Sequence, residues 1–66
     1  DAIQAAINDL PENQRIAVLL ARYEEMSYEE IADVMGFSLE AVRALLHRAK
    51  ENLQVLLARY VGGGGR

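Results

Sequence analysis

The sequence predicts an all-α domain built from four helices. Three observations carry that expectation. Apolar residues recur at helical spacing in four blocks. Good helix formers fill the positions between them, and the strict alternation of a half-buried strand is absent. The blocks are parted by Leu10-Pro11, by Glu24-Glu25-Met26 and by Gly36-Phe37-Ser38.

The first helix is expected over about Ala2 to Asp9, with Ile3, Ala6, Ile7 and Leu10 on one side. Pro11 then opens the second helix, where its missing N–H does no harm. That helix runs to about Tyr23 and is expected to bury Ile16, Leu19, Leu20 and Tyr23. Glu24, Glu25 and Met26 form a short connection.

The third helix is read as Tyr28 to Met35. Ser27 stands three residues before Glu30, the spacing of a capping box. The run Ile31, Ala32, Val34, Met35 follows, and Gly36 supplies the stop, because glycine takes a left-handed conformation at no steric cost. Ser38 is placed to cap the next helix. Two helices joined by so short a glycine bend form a helix-turn-helix, which aims its second helix outward at a DNA duplex. The fold expected is therefore of the winged-helix-like DNA-binding class without the wing, ending in a long C-terminal recognition helix.

That fourth helix is expected from Leu39 as far as Val61, since nothing breaks it before Gly62. At about 100° per residue, Leu45, Leu46, Ala49, Leu53, Leu56, Leu57 and Tyr60 fall within roughly 60° of Val42. This stripe faces the core. Glu40, Arg43, Ala44, His47 and Glu51 fall on the other side, with Arg48 and Lys50 on the flanks. The carboxyl half either packs back on the first helix or offers a surface to a partner helix. Packing within the domain is favoured, because small domains need every apolar contact.

Composition sets the outer limits. A chain of 66 residues makes one small domain. It is divided here into a folded part, 1–61, and a flexible Gly-rich tail, 62–66. With Asp1 rather than Met at its start, it is expected to be a fragment of a longer protein. There is no cysteine, so a disulfide scaffold and a thiolate metal site are excluded. No apolar stretch approaches the roughly 20 residues that span a bilayer, and the expected compartment is the cytoplasm. The net charge of −3 is unevenly spread. Residues 1–40 carry nine acids against two arginines, whereas residues 41–66 carry five basic residues against one acid. Positive charge is thus gathered on the last helix.

Catalytic and metal readings find little support. His47 has Arg43 and Glu51 one turn away, but a single histidine without cysteine makes no metal site. Ser38, His47 and Asp33 lack the arrangement of a hydrolase triad, since the serine caps a helix. No enzyme activity, cofactor, metal, membrane or small-molecule substrate is expected. Arg48 is open to two readings, a DNA contact or an ion pair with Glu51 or Glu29. Tyr23 and Tyr28 read most simply as core residues with satisfied hydroxyls. Glu24, Glu25, Glu29 and Glu30 read as a solvated face.

Several blocks together resemble a known family. They are Leu10-Pro11-Glu12 with Gln14-Arg15, Ser27-Tyr28-Glu29-Glu30-Ile31-Ala32 with Gly36, and Ala41-Val42 followed by Leu46-His47-Arg48-Ala49-Lys50. They are similar to region 4 of bacterial RNA polymerase sigma factors, most closely the extracytoplasmic-function (ECF) type, over almost all of residues 1–60. The resemblance implies a non-catalytic module for transcription initiation. It would recognise the promoter −35 element, dock on the β flap of the RNA polymerase core and, as in many such factors, be covered by an anti-sigma protein. By position it implies Glu40, Arg43, Ala44, His47 and Arg48 facing bases, and Arg22, Tyr28, Ser38 and Lys50 meeting phosphates. Two departures stand out. Many members have Gly-Thr where this chain has Glu40-Ala41, and a basic residue where it has Leu45. Leu45 is assigned to packing. Glu40 would either sit near a phosphate and weaken binding, or accept a hydrogen bond from cytosine N4 and confer specificity. The alternative to a DNA reader is a helical protein-interaction domain that forms a dimer or binds a partner, motivated by the net acidity and the long apolar stripe.

Overall fold

The computed structural model describes residues 1–62 and is helical throughout its regular elements. Helix α1 is Ala2–Asn8, α2 is Glu12–Arg22, α3 is Tyr28–Met35 and α4 is Leu39–Leu57, continued by a π-helical turn at Ala58–Gly62. The expected all-α, four-helix architecture is what is found. Of the Gly-rich tail, residues 63–66 lie outside the described residues.

Each helix start has a chemical cause. Asp1 caps α1 by accepting the Gln4 N–H at 2.8 Å. The capping box of α3 is complete: Ser27 Oγ accepts the Glu30 N–H at 3.1 Å, and Glu30 Oε1 accepts the Ser27 N–H at 2.7 Å. Ser38 Oγ accepts the Ala41 N–H at 3.1 Å at the start of α4. Pro11 stands one position earlier than expected. It precedes α2 as its cap residue at ψ 150 and accepts the Arg15 N–H at 2.9 Å through its carbonyl. An extended ψ suits a cap, and proline has no side-chain oxygen to offer.

Two residues adopt the left-handed region, Gly36 as the cap of α3 and Glu25 in the connection after α2. Gly36, at φ 75, lets its own N–H and that of Phe37 both reach the Ala32 carbonyl, at 2.9 and 3.0 Å. A Cβ placed on Gly36 would meet nothing within 4 Å, so its requirement is purely the backbone angle. Glu25 turns the chain after α2 at φ 55, a conformation that costs a residue with a Cβ roughly 1–2 kcal/mol. No residue pattern around Glu25 signals this strain.

Helix α4 is the axis of the molecule, in contact with α1, α2 and α3. Ala17, Ile31, Ala32 and Val42 form one buried cluster drawn from α2, α3 and α4. Leu20, Ala21, Met26, Met35, Leu45 and Leu46 pack around it, which places Leu45 in the packing role assigned to it. Ala6, Ile7, Leu10 and Ala49 are buried as well. The small residues let helix backbones come close, while Ile31 and Val42 fill the space between them. Burying side chains of that size stabilises by about 1.5–3 kcal/mol each.

The carboxyl half of α4 packs within the domain, as favoured from sequence. Asn52 Nδ2 donates to Gln14 Oε1 at 2.7 Å across to α2. The α-helix ends at Leu57 rather than Val61 and widens into the π-helical turn. That turn lies against α1, with the Tyr60 hydroxyl donating to Asp9 Oδ2. Some side chains expected in the core are outside it. Tyr23 is 53% exposed, because it follows the last turn of α2 and donates its hydroxyl to Gln4 Oε1 at 3.1 Å. Tyr28, Ile3 and Tyr60 are also exposed, and Val34 is 61% exposed. Short helices bury a narrow stripe, and residues at its edges stay wet.

Three substitutions test this account, two by chemical denaturation and one by melting temperature. Gly36→Ala should cost about 1–2 kcal/mol through its left-handed backbone alone, and Glu25→Gly should stabilise by up to about 1 kcal/mol. The Tyr60 phenol is raised above its ordinary value of 10.0, chiefly by its hydrogen bond to Asp9 and then by burial and the Asp9 charge, with Arg59 opposing. The tie needs the protonated phenol, so its stabilisation is present below pH 10 and is lost as pH rises through the raised value. The melting-temperature advantage of the native chain over Tyr60→Phe should therefore shrink as the solution is made more alkaline than pH 10.

Candidate nucleic-acid interface

The bend at Gly36 and the cap at Ser38 set the direction of α4, and the buried stripe sets its rotation. Val42 and Ala49 are fully buried, and Leu45 and Leu46 are half-buried beside them. With that side pinned, Glu40, Arg43, Ala44, His47, Arg48 and Lys50 are all exposed. The five residues from Glu40 to Arg48 expected to face bases thus share the solvent side of one helix. From Glu40 to His47 this ridge is about 10 Å long at the helical rise, which spans about three base-pair steps of roughly 3.4 Å each.

The ridge has a mixed but cationic character. Arg43, Arg48 and Lys50 carry positive charge, and Glu40 and Glu51 oppose them. Glu51 engages His47 and not Arg48: His47 Nε2 lies 3.5 Å from Glu51 Oε2, one turn along the helix. The ion-pair reading of Arg48 with Glu51 or Glu29 is not realised among the described residues. Glu51 stands within one helical turn of both residues, four positions from His47 and three from Arg48, and the pairing found is the four-residue one. At 73% exposure His47 is open to solvent, so its pairing with Glu51 is weak and displaceable.

The residues expected at phosphates are more dispersed. Ser38 precedes α4 and spends its Oγ on the Ala41 N–H. Tyr28 opens α3 and is exposed rather than a core residue, leaving its hydroxyl at the surface. Arg22 ends α2, its guanidinium carbon 5.7 Å from the centroid of the Tyr23 ring. That stacking orients the guanidinium at small cost. Sequence periodicity alone missed this pairing because it treated Tyr23 as buried. The acidic side chains Glu24, Glu25, Glu29 and Glu30 are all exposed on the segment from Glu24 to Glu30.

Among the described residues no three His, Asp or Glu side chains gather to hold a metal, and the surface has no pocket. No described helix is long and apolar enough to cross a membrane. The outer side of α4 is a solvated ridge of donors and acceptors.

Comparison with known proteins agrees with this geometry. The family model described as Sigma-70, region 4, matches residues 1–53. The ECF RNA polymerase sigma factor SigE of Mycolicibacterium smegmatis is 41% identical over 58 residues, which is 88% of this chain and 23% of that protein. RNA polymerase sigma factor YlaC of Bacillus subtilis is 33% identical over 54 residues, covering 82% of this chain and 31% of its own. The ECF sigma factor EcfG of Rhodopseudomonas palustris is 33% identical over 63 residues, covering 96% and 34%. The chain therefore spans about a quarter to a third of the length of these relatives. A capped glycine bend, a long outward-facing fourth helix and a family match over most of the described residues lead to one assignment: the chain belongs to the sigma-70 region 4 family, of the ECF type.

Proposed function

We propose that this chain reads the promoter −35 element with the outer face of α4 and docks on the RNA polymerase core through the β flap. The observation that carries this reading is the two-sided character of α4. Its buried stripe is fixed by Val42 and Ala49, and its other side presents Arg43, Ala44 and His47 to solvent. A helix held this way by a helix-turn-helix enters a major groove with its amino-terminal residues against base edges.

In that docking Glu40, Arg43, Ala44, His47 and Arg48 meet bases, and Arg22, Tyr28, Ser38 and Lys50 meet the backbone. Arginine pairs in bidentate fashion with guanine, and alanine tolerates a thymine methyl. The free N–H groups at the start of α4 favour a phosphate. With few cations on the ridge and an acidic chain around it, the isolated domain binds weakly and with marked salt dependence. Tethering to polymerase raises its effective concentration at the promoter and supplies the missing affinity. An anti-sigma protein that covers the α4 ridge would silence it.

The protein-interaction reading needs the α4 stripe to be free for a partner. Contacts of α1, α2 and α3 with α4, and the burial of Val42 and Ala49, favour the DNA reading instead.

Fluorescence anisotropy against −35 duplexes at low salt tests the proposal. Arg43→Ala should cost about 1–3 kcal/mol and relax discrimination at one base pair. Lys50→Ala should weaken all sequences alike and lower the salt slope by about one. Equal affinity for every duplex, unchanged when Arg43→Ala and His47→Ala are combined, would overturn base reading.

A further inference from the structure

Glu40 is the one acid among the ridge residues placed against bases, and among the described residues no hydrogen bond or ion pair engages its carboxylate. It lies in the first turn of α4 and is exposed. The cap of that turn is already filled, since Ser38 Oγ takes the Ala41 N–H at 3.1 Å. Arg43 stands three positions on, yet among the described residues the close side-chain pairing on this ridge is that of His47 with Glu51, 3.5 Å apart. The carboxylate therefore keeps its acceptor sites for something outside the chain.

A carboxylate only accepts hydrogen bonds, which limits what it can meet in a major groove. Guanine presents N7 and O6 and thymine presents O4, all acceptors that repel it. Adenine offers its N6 amino group, but N7 stands beside that group and repels the second oxygen. Cytosine offers the N4 amino group and no neighbouring acceptor of its own on that edge. Three residues of helix separate Glu40 from Arg43, about 4.5 Å, or between one and two base-pair steps of roughly 3.4 Å.

Resting on the duplex-reading role proposed above, we propose that Glu40 is a specificity-determining residue that selects cytosine within two base pairs of the base read by Arg43. The DNA taken by this chain is thus a site with a C·G pair beneath the first turn of α4. The charge costs general affinity through repulsion by the phosphates and returns it only at the matching base.

The test uses the 66-residue chain, its Glu40→Gln and Glu40→Ala forms, and duplexes varied one base pair at a time at low salt. The native chain should prefer cytosine at one position by about tenfold. Glutamine pairs with adenine N6 and N7, so Glu40→Gln should move the preference at that position to adenine. Glu40→Ala should erase it there and leave the other positions unchanged. Tighter binding of Glu40→Ala to every duplex by one common factor overturns the proposal, leaving Glu40 a repelling charge. A lowered melting temperature of Glu40→Gln with unchanged base preference overturns it too, assigning the carboxylate to the helix start. Base preference that Arg43→Ala abolishes but both Glu40 variants leave intact overturns this inference alone. Absence of preference at every position in the native chain overturns it together with the −35 role.

Discussion

The contact of Val42 with the cluster of Ala17, Ile31 and Ala32 governs the rest of the structure. These four residues come from three helices and are close to fully buried. Packing at that density allows little rotation of α4 about its own axis. Once Val42 is fixed inward, the direction of every other side chain on the helix follows from its offset in sequence. Arg43 and His47 are outside because Val42, Leu46 and Ala49 are inside. The orientation of the candidate interface is thus a consequence of core packing.

Local turn chemistry supplies the second constraint. Rotation of α4 is set by the core, but its angle to α3 is set by three residues, Gly36, Phe37 and Ser38. Gly36 closes α3 in the left-handed region, and Ser38 restarts the chain in an extended conformation with its hydroxyl on the new helix. Glu25 turns the connection after α2 at a similar left-handed angle, but with a side chain that resists it. The fold therefore contains one relaxed bend and one strained bend. The relaxed one lies between the two helices of the helix-turn-helix, where the angle matters most.

Charge works against binding at the level of the whole chain and in its favour at the level of the ridge. The acids of residues 24–30 are exposed on the α2–α3 side, and the cations of α4 are exposed on its own outer side. At physiological ionic strength, with screening over about 8 Å, the near charges dominate. A polyanion is therefore attracted to the ridge and repelled from the acidic segment, which restricts the poses it can adopt. Such an arrangement gives orientation more readily than affinity.

The sequence by itself determined the four helices, the capping box at Ser27 and Glu30, the glycine stop and the two sides of α4. Each of these follows from chemistry local to a few residues, or from a period that one helix imposes on its own side chains. Arg43 and His47 were legible as outward-facing for that reason. What only the tertiary structure decided depends on partners distant in sequence. Tyr23 reads as core by spacing, but a Gln4 side chain 19 residues away and the end of α2 hold it at the surface. Glu51 had two candidate partners within one turn, and in the folded helix it is His47 that lies 3.5 Å away. The left-handed turn at Glu25 and the tie from Tyr60 to Asp9 carry no local signature, because each arises where two elements must meet. A sequence period specifies which face of a helix is apolar. How far each edge of that face is covered is settled only when the neighbouring helices arrive.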